Sequence, residues 1–129
     1  MSVTRKNPDN VAPPIGAYSH LSVVPKDADL LVLSGQVGTD SDGNLPLEVE
    51  EQLRNALHNI RQILKSEGVT SDGIIKVNIW LTEPVSRDQF TEIWSQFHGG
   101  TPPSTTMAFV SALVQPNLKV EVEAWAARW

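Results

Sequence analysis

Two adjacent prolines fix how the C-terminal third of this chain can fold. In Thr101-Pro102-Pro103-Ser104-Thr105-Thr106-Met107 the pyrrolidine rings lock φ and remove two backbone donors, so no helix runs through them. They end the segment before them and launch an extended one that opens on three hydroxyl residues. Further on, Lys119-Val120-Glu121-Val122-Glu123-Ala124-Trp125 reads as a strand. Strict alternation puts Val120, Val122 and Ala124 on one face and Glu123 on the other. A carboxylate in an otherwise apolar sheet, facing a hydroxyl-rich strand start, makes Glu123 the candidate for chemistry.

The rest of the chain supplies the layers around these strands. Residues 1–14 read as an extended arm, with Pro8, Pro13 and Pro14 set against regular structure. Ile15 to His20 leads into a first strand through Val24. After a turn at 25–29, the apolar run Leu30 to Gln36 predicts a strand buried on both faces. Within it, Gly35 points to close approach of a backbone or a ligand. A loop at 39–44 precedes a helix over 48–67. Its Leu53, Ala56, Leu57, Ile60 and Leu64 recur at helical spacing. Gly68 is placed to stop it. Arg54, His58, Arg61 and Lys65 fall on another stripe of that helix, read as a solvated face. A third strand spans 74–82, with Ile75, Val77, Ile79 and Leu81 sharing a face. Ser86 and Gln89 form a capping box for a second helix, which carries Phe90, Ile93, Trp94 and Phe97 inward and ends at Gly99-Gly100. Strands over 105–113 and 119–128 complete the order ββαβαββ, an α+β domain spanning 1–129.

Two helices cover one face of such a sheet. The other still carries Trp80, Trp125 and one of two sets on the fourth strand, Ala108/Val110/Ala112 or Met107/Phe109. An apolar face of that size needs a partner, so self-association is expected, with a pocket near the interface.

Composition removes several function classes. The 129 residues include no cysteine, so thiolate catalysis, thiolate metal sites and disulfides are excluded. Three scattered histidines have no metal-ligand spacing, so no metal is expected. A net charge of −5 with dispersed basic residues argues against nucleic acid. No apolar run spans a membrane and the cationic N-terminus lacks an apolar core behind it, which predicts a cytoplasmic protein.

The markers Ile15-Gly16-Ala17-Tyr18-Ser19, Leu33-Ser34-Gly35-Gln36, Glu51-Gln52, Val77-Asn78-Ile79-Trp80-Leu81-Thr82, Pro102-Pro103 and Val120-Glu121-Val122-Glu123-Ala124 occur in this order. In this the chain resembles the reactive intermediate deaminase family, RidA/YjgF-like proteins also called endoribonuclease L-PSP. The resemblance implies a chorismate-mutase-like protomer with two helices on one face of a mixed sheet. It further implies a homotrimer with sheets facing inward, and small-molecule pockets between subunits that use no cofactor. It implies that Glu123 positions the attacking water, and that Tyr18, Ser34, Gly35, Thr105, Thr106 and Met107 line the pocket.

Active members carry an arginine where this chain has Thr105, and that guanidinium pairs with the substrate carboxylate. Ser104 and Thr106 are neutral too, and a hydroxyl does not neutralise a carboxylate. A replacement cation would have to come from a neighbouring subunit, through Arg87, Lys119 or Arg128. Two readings therefore stay open: an imine or enamine hydrolase of altered substrate range, and a metabolite-binding trimer without turnover. A third, endoribonuclease or translation inhibitor, has the acidic surface against it.

Overall fold

In a computed structural model, which describes residues 2–129, the segments of helical period become two helices stacked on one mixed sheet. Helix α1 spans Val49–Ser66. Its Leu53, Ala56, Leu57, Ile60 and Leu64 are at most 2% exposed. Gly68 adopts φ +71° just past the last turn, and the Val69 N–H donates back to the Leu64 carbonyl (2.9 Å). Helix α2 spans Arg87–His98. Ser86 Oγ accepts from the Gln89 N–H at its start, and Gly99 closes it at φ +67°.

The strands are β1 (Thr4–Lys6), β2 (Leu21–Val23), β3 (Asp29–Val32), β4 (Gln36–Val37), β5 (Ile74–Leu81), β6 (Ser104–Phe109) and β7 (Val120–Arg128). The main sheet runs β3-β7-β5-β6, with β4 also paired to β7. Only β5 and β6 are parallel, because α2 carries the chain back to the same end of the sheet between them. Val77, Ile79, Leu81, Val120, Val122, Ala124 and Ala126 bury one sheet face under α1 and α2, where Trp94 and Phe97 complete the core. No helix among the described residues is long and apolar enough to cross a membrane.

Four expectations change. The N-terminal arm is not merely extended: Thr4–Lys6 pairs with Leu21–Val23 as a hairpin. Arg5 holds that hairpin down by donating to the carbonyls of Thr101, Ser71 and Ile74. Burial pushes its guanidinium below the usual range, with the nearby Asp72 opposing. The apolar run 30–36 splits into β3 and β4 around Ser34-Gly35. It is buried on one side only, since Leu30 and Val32 are 64% and 62% exposed. In β5 a bulge at Ile75 shifts the register between Ile74 and Lys76. Ile74 therefore enters the core in place of Ile75, which simple alternation had put there. The fourth strand stops at Phe109 rather than 113, because its hydrogen-bond partner β5 ends at Leu81.

Candidate functional site

The register of β7 sets both carboxylates, Glu121 and Glu123, on the face the helices leave bare. Glu121 stands opposite Trp80 and Val37, and Glu123 opposite Asn78. The Asn78 amide donates to Glu123 Oε1 at 3.0 Å, which leaves Oε2 as a free acceptor. Glu121 meets a different neighbour. Its side chain folds over the backbone of Gly35, where a Cβ would lie 2.0 Å from Glu121 Oε2 and 2.8 Å from Cδ. What approaches Gly35 is therefore a side-chain carboxylate, where a backbone or a ligand was expected.

Sequence reasoning singled out Glu123 and passed over Glu121. The signal was present: alternation puts both on one face, and a glycine in the adjacent strand requires something against it. What the sequence lacked was the pairing of β4 with Glu121 and Val122. Ser34, expected as a wall residue, is exposed beside Gly35, and its carbonyl accepts from Gln36 Nε2 (3.1 Å). A cleft of about 440 Å³ runs between this edge and α1, lined by Leu31, Leu33, Ser34 and Ile63 among others.

The second group of expected residues gathers at the opposite edge. Ser19, 2% exposed, donates through Oγ to the Pro102 carbonyl (2.7 Å) and through N–H to Pro103 (3.2 Å). This anchors the loop carrying Tyr18 to the start of β6. Trp94 Nε1–H fixes the same loop through the Ala17 carbonyl at 2.7 Å. Tyr18 is half-buried, its hydroxyl accepts from the Ile15 N–H (3.4 Å), and its ring meets His20 edge-on.

The three β6 residues do not share one face. Thr105 and Met107 pair with the core residues Val77 and Ile79, whereas Thr106 pairs with Asn78 on the bare face. Strand alternation thus sends the Thr106 side chain to the other face from those of Thr105 and Met107. Thr105 Oγ1 donates to the Pro103 carbonyl (2.8 Å), so its hydroxyl proton is already used.

A cation does reach this strand: Lys76 Nζ donates to Thr106 Oγ1 at 2.8 Å. A nearby cation therefore exists after all, but on the face away from Thr105. Of the three cations considered from a neighbour, Lys119 pairs with Glu83 (3.3 Å) and Arg128 with Asp29 (2.8 Å) and Glu67. These carboxylates hold the Arg128 guanidinium above its usual range, led by the hydrogen bond it donates to Asp29. Arg87 stands at the start of α2. Among the described residues, no three carboxylate or imidazole groups converge as a metal site would require.

One protomer thus holds two separate groups of candidate residues. Gly35, Glu121 and Glu123 flank β7 and β4, while Tyr18, Thr105 and Met107 sit on the β6 edge. Three strand spacings separate β4 from β6, roughly 14 Å. The two groups meet only if the edge of one copy faces the other edge of a second.

The model of the family described as endoribonuclease L-PSP matches residues 9–128. The chain belongs to this family. Among endoribonuclease L-PSP relatives, a RutC family protein of Pyrococcus horikoshii is 29% identical over 120 residues, covering 92% of each chain. The 2-iminobutanoate/2-iminopropanoate deaminase of Rattus norvegicus is 32% identical over 116 residues, 88% of this chain and 82% of its own. The solved Rid-family protein YyfB of Yersinia pestis superimposes with a TM-score of 0.83 at 22% identity over 98% of both chains, a likeness of fold. A YjgF-family member from Mycobacterium tuberculosis gives 0.64 at 27% identity, covering 97% and 98%. The family's α+β fold, two helices on a mixed sheet, is thus the fold of this chain.

Proposed function

We propose that the protein is a small-molecule hydrolase of the imine or enamine deaminase type, with its site completed between copies in a homotrimer. The observation that carries this reading is the pair Glu121 and Glu123 on the bare sheet face, with Gly35 leaving room for the Glu121 carboxylate. The exposed apolar residues at the two edges support the assembly: Leu30 and Val32 on one, Met107 (49% exposed) and Phe109 (64%) on the other.

The chemistry needs one group that both takes and gives a proton. Water adds to the imine carbon as a carboxylate accepts its proton. The resulting carboxylic acid gives that proton to nitrogen, forming a carbinolamine; the carboxylate then moves the hydroxyl proton to nitrogen as the C–N bond breaks, so that ammonia leaves and a ketone remains. Glu121 fits this task better than Glu123. No side chain among the described residues hydrogen-bonds it, and it lies on an inner strand against the Ser34-Gly35 backbone of the neighbouring strand segment. Glu123, tied to Asn78, is the neighbouring carboxylate that can hold a water through Oε2.

At the other edge a neutral Thr105 stands where a carboxylate anchor would be cationic. The preferred substrate is therefore an imine whose substituent at that end is uncharged. The experiment is ammonia release from 2-iminopropanoate, 2-iminobutanoate and their decarboxylated or esterified analogues, generated in situ. Wild type is expected to turn over the neutral analogues faster, and Glu121→Gln to lower the rate by roughly 10²–10⁴-fold. A wild-type rate equal to that of Glu121→Gln and Glu123→Gln on every imine would leave the non-catalytic metabolite-binding reading in its place.

A further inference from the structure

The basic stripe of α1 does not simply face solvent. Arg54, His58, Arg61 and Lys65 line a cleft of about 560 Å³ between α1 and α2, a volume in the range of small-ligand sites. Its floor is apolar: Ile93 and Phe97 are 3% and 4% exposed. Three of the ten Lys and Arg residues and one of three His gather here in a chain of net charge −5, while none of its fifteen Asp and Glu lines the cleft.

The cations are differently held. Arg61 Nη1 donates across the cleft to the Phe97 carbonyl (2.7 Å), which caps α2 and fixes the guanidinium in place. Arg54 touches Glu51 at the rim, Nε to Oε1 3.5 Å. His58, Arg61 and Lys65 have no carboxylate partner among the described residues. From Arg54 to Lys65 the stripe runs eleven residues along the helix, roughly 16 Å. One carboxylate or one phosphate meets only part of that length. A diphosphate carried on an apolar body meets more of it.

We propose that this cleft binds an elongated organic polyphosphate of nucleoside-diphosphate size. Its phosphates lie along Arg54, His58 and Lys65, against the fixed Arg61 guanidinium, and its apolar body rests on Ile93 and Phe97. Arginine forks suit phosphate oxygens, and the local positive field gathers anions that the rest of the acidic protein repels. The cleft lies on the helix side of the sheet, away from the face assigned to assembly. It therefore stays open in an oligomer and does not depend on the deaminase reading.

The test is calorimetric titration of the native protein with ADP at low salt, with backbone NMR shifts to locate the site. One ADP per protomer is expected, with shifts confined to 54–70 and 93–97. Arg54→Gln/Lys65→Gln should weaken binding by at least roughly tenfold, as loss of charge-assisted contacts requires. Both side chains are solvent-accessible, and an unchanged thermal melt confirms the variant's fold. Glu121→Gln should bind ADP as wild type does, which separates this cleft from the intersubunit site. Any of four outcomes overturns the proposal: no saturable ADP binding, undiminished binding by the double variant, adenosine binding as tightly as ADP, or a single-stranded RNA displacing ADP from the cleft at lower concentration.

Discussion

Gly35→Ala separates the site's geometry from the protein's stability. Gly35 has an ordinary negative φ, so alanine meets no backbone strain there. The new Cβ would fall 2.0 Å from Glu121 Oε2, 2.8 Å from Cδ and 2.9 Å from Cγ. To reach ordinary contact at about 3.4 Å, the carboxylate must retreat by about 1.4 Å. It sits at the end of a flexible side chain, so the retreat costs little. Replacing glycine also stabilises by about 0.4–1 kcal/mol through the unfolded chain. Net stability should therefore stay within about 1 kcal/mol of wild type. Catalysis should not be spared, since a misplacement of about 1 Å costs on the order of 10²-fold. Gly38→Ala is the control. There the Cβ would lie 2.4 Å from Gln52 Cα and 2.5 Å from its carbonyl oxygen, atoms of the α1 backbone that cannot swing aside. That variant should lose about 1–3 kcal/mol or more. The assays are urea unfolding and ammonia release, run on both variants. Full turnover by Gly35→Ala would refute the role given to Glu121, and strong destabilisation of Gly35→Ala would refute the geometry itself.

Thr105→Arg should raise turnover of 2-iminopropanoate by roughly ten- to thousandfold over wild type while slowing neutral imines, measured as kcat/KM for both. Trp94→Phe removes the donor to Ala17 and should cost about 1–3 kcal/mol. Hydrogen exchange should show faster opening of residues 15–20 in the same variant. His98 is 8% exposed, and its Nδ1 accepts from the Gly100 N–H. Burial first, and then the charge of Arg5, hold its pKa below the usual value of 6.5. The unfolded chain therefore binds the proton more readily. The stability from neutral His98 is complete above 6.5 and is lost as pH falls from there through the lower folded value. Denaturant unfolding of wild type and His98→Gln across pH 4–8, a window set about that usual value, should give curves that differ in slope only over this acidic range.

Much of the fold was legible because its signals are local. The stripe Leu53, Ala56, Leu57, Ile60, Leu64 and the caps at Ser86, Gly68 and Gly99 each follow from nearest-neighbour geometry, and the structure reproduces them. What failed was non-local. The β1–β2 hairpin depends on Arg5 reaching carbonyls 66 to 96 residues away, which no local pattern records. Ile74 enters the core through a bulge that only the partner strand β7 defines. The site was half legible for the same reason. Alternation showed that Val122 and Glu123 face opposite ways, but not that Glu121 is the carboxylate lying over Gly35. Thr105, Thr106 and Met107 entered as pocket residues through the family resemblance, and the strand pairing adds that Thr106 faces the other side from its two neighbours.

The claim on which the account turns is that the two residue groups of one chain are completed by other copies, where the edge of one copy faces the other edge of a second. The direct measurement is the solution mass of the wild-type protein by light scattering after size exclusion. A homotrimer, three times the 14.1 kDa protomer or about 42 kDa, is the mass predicted. Charge placed on the open face, as in Val32→Arg, should then shift the mass downward. A wild-type mass of 14.1 kDa across the concentrations at which the protein acts would contradict it.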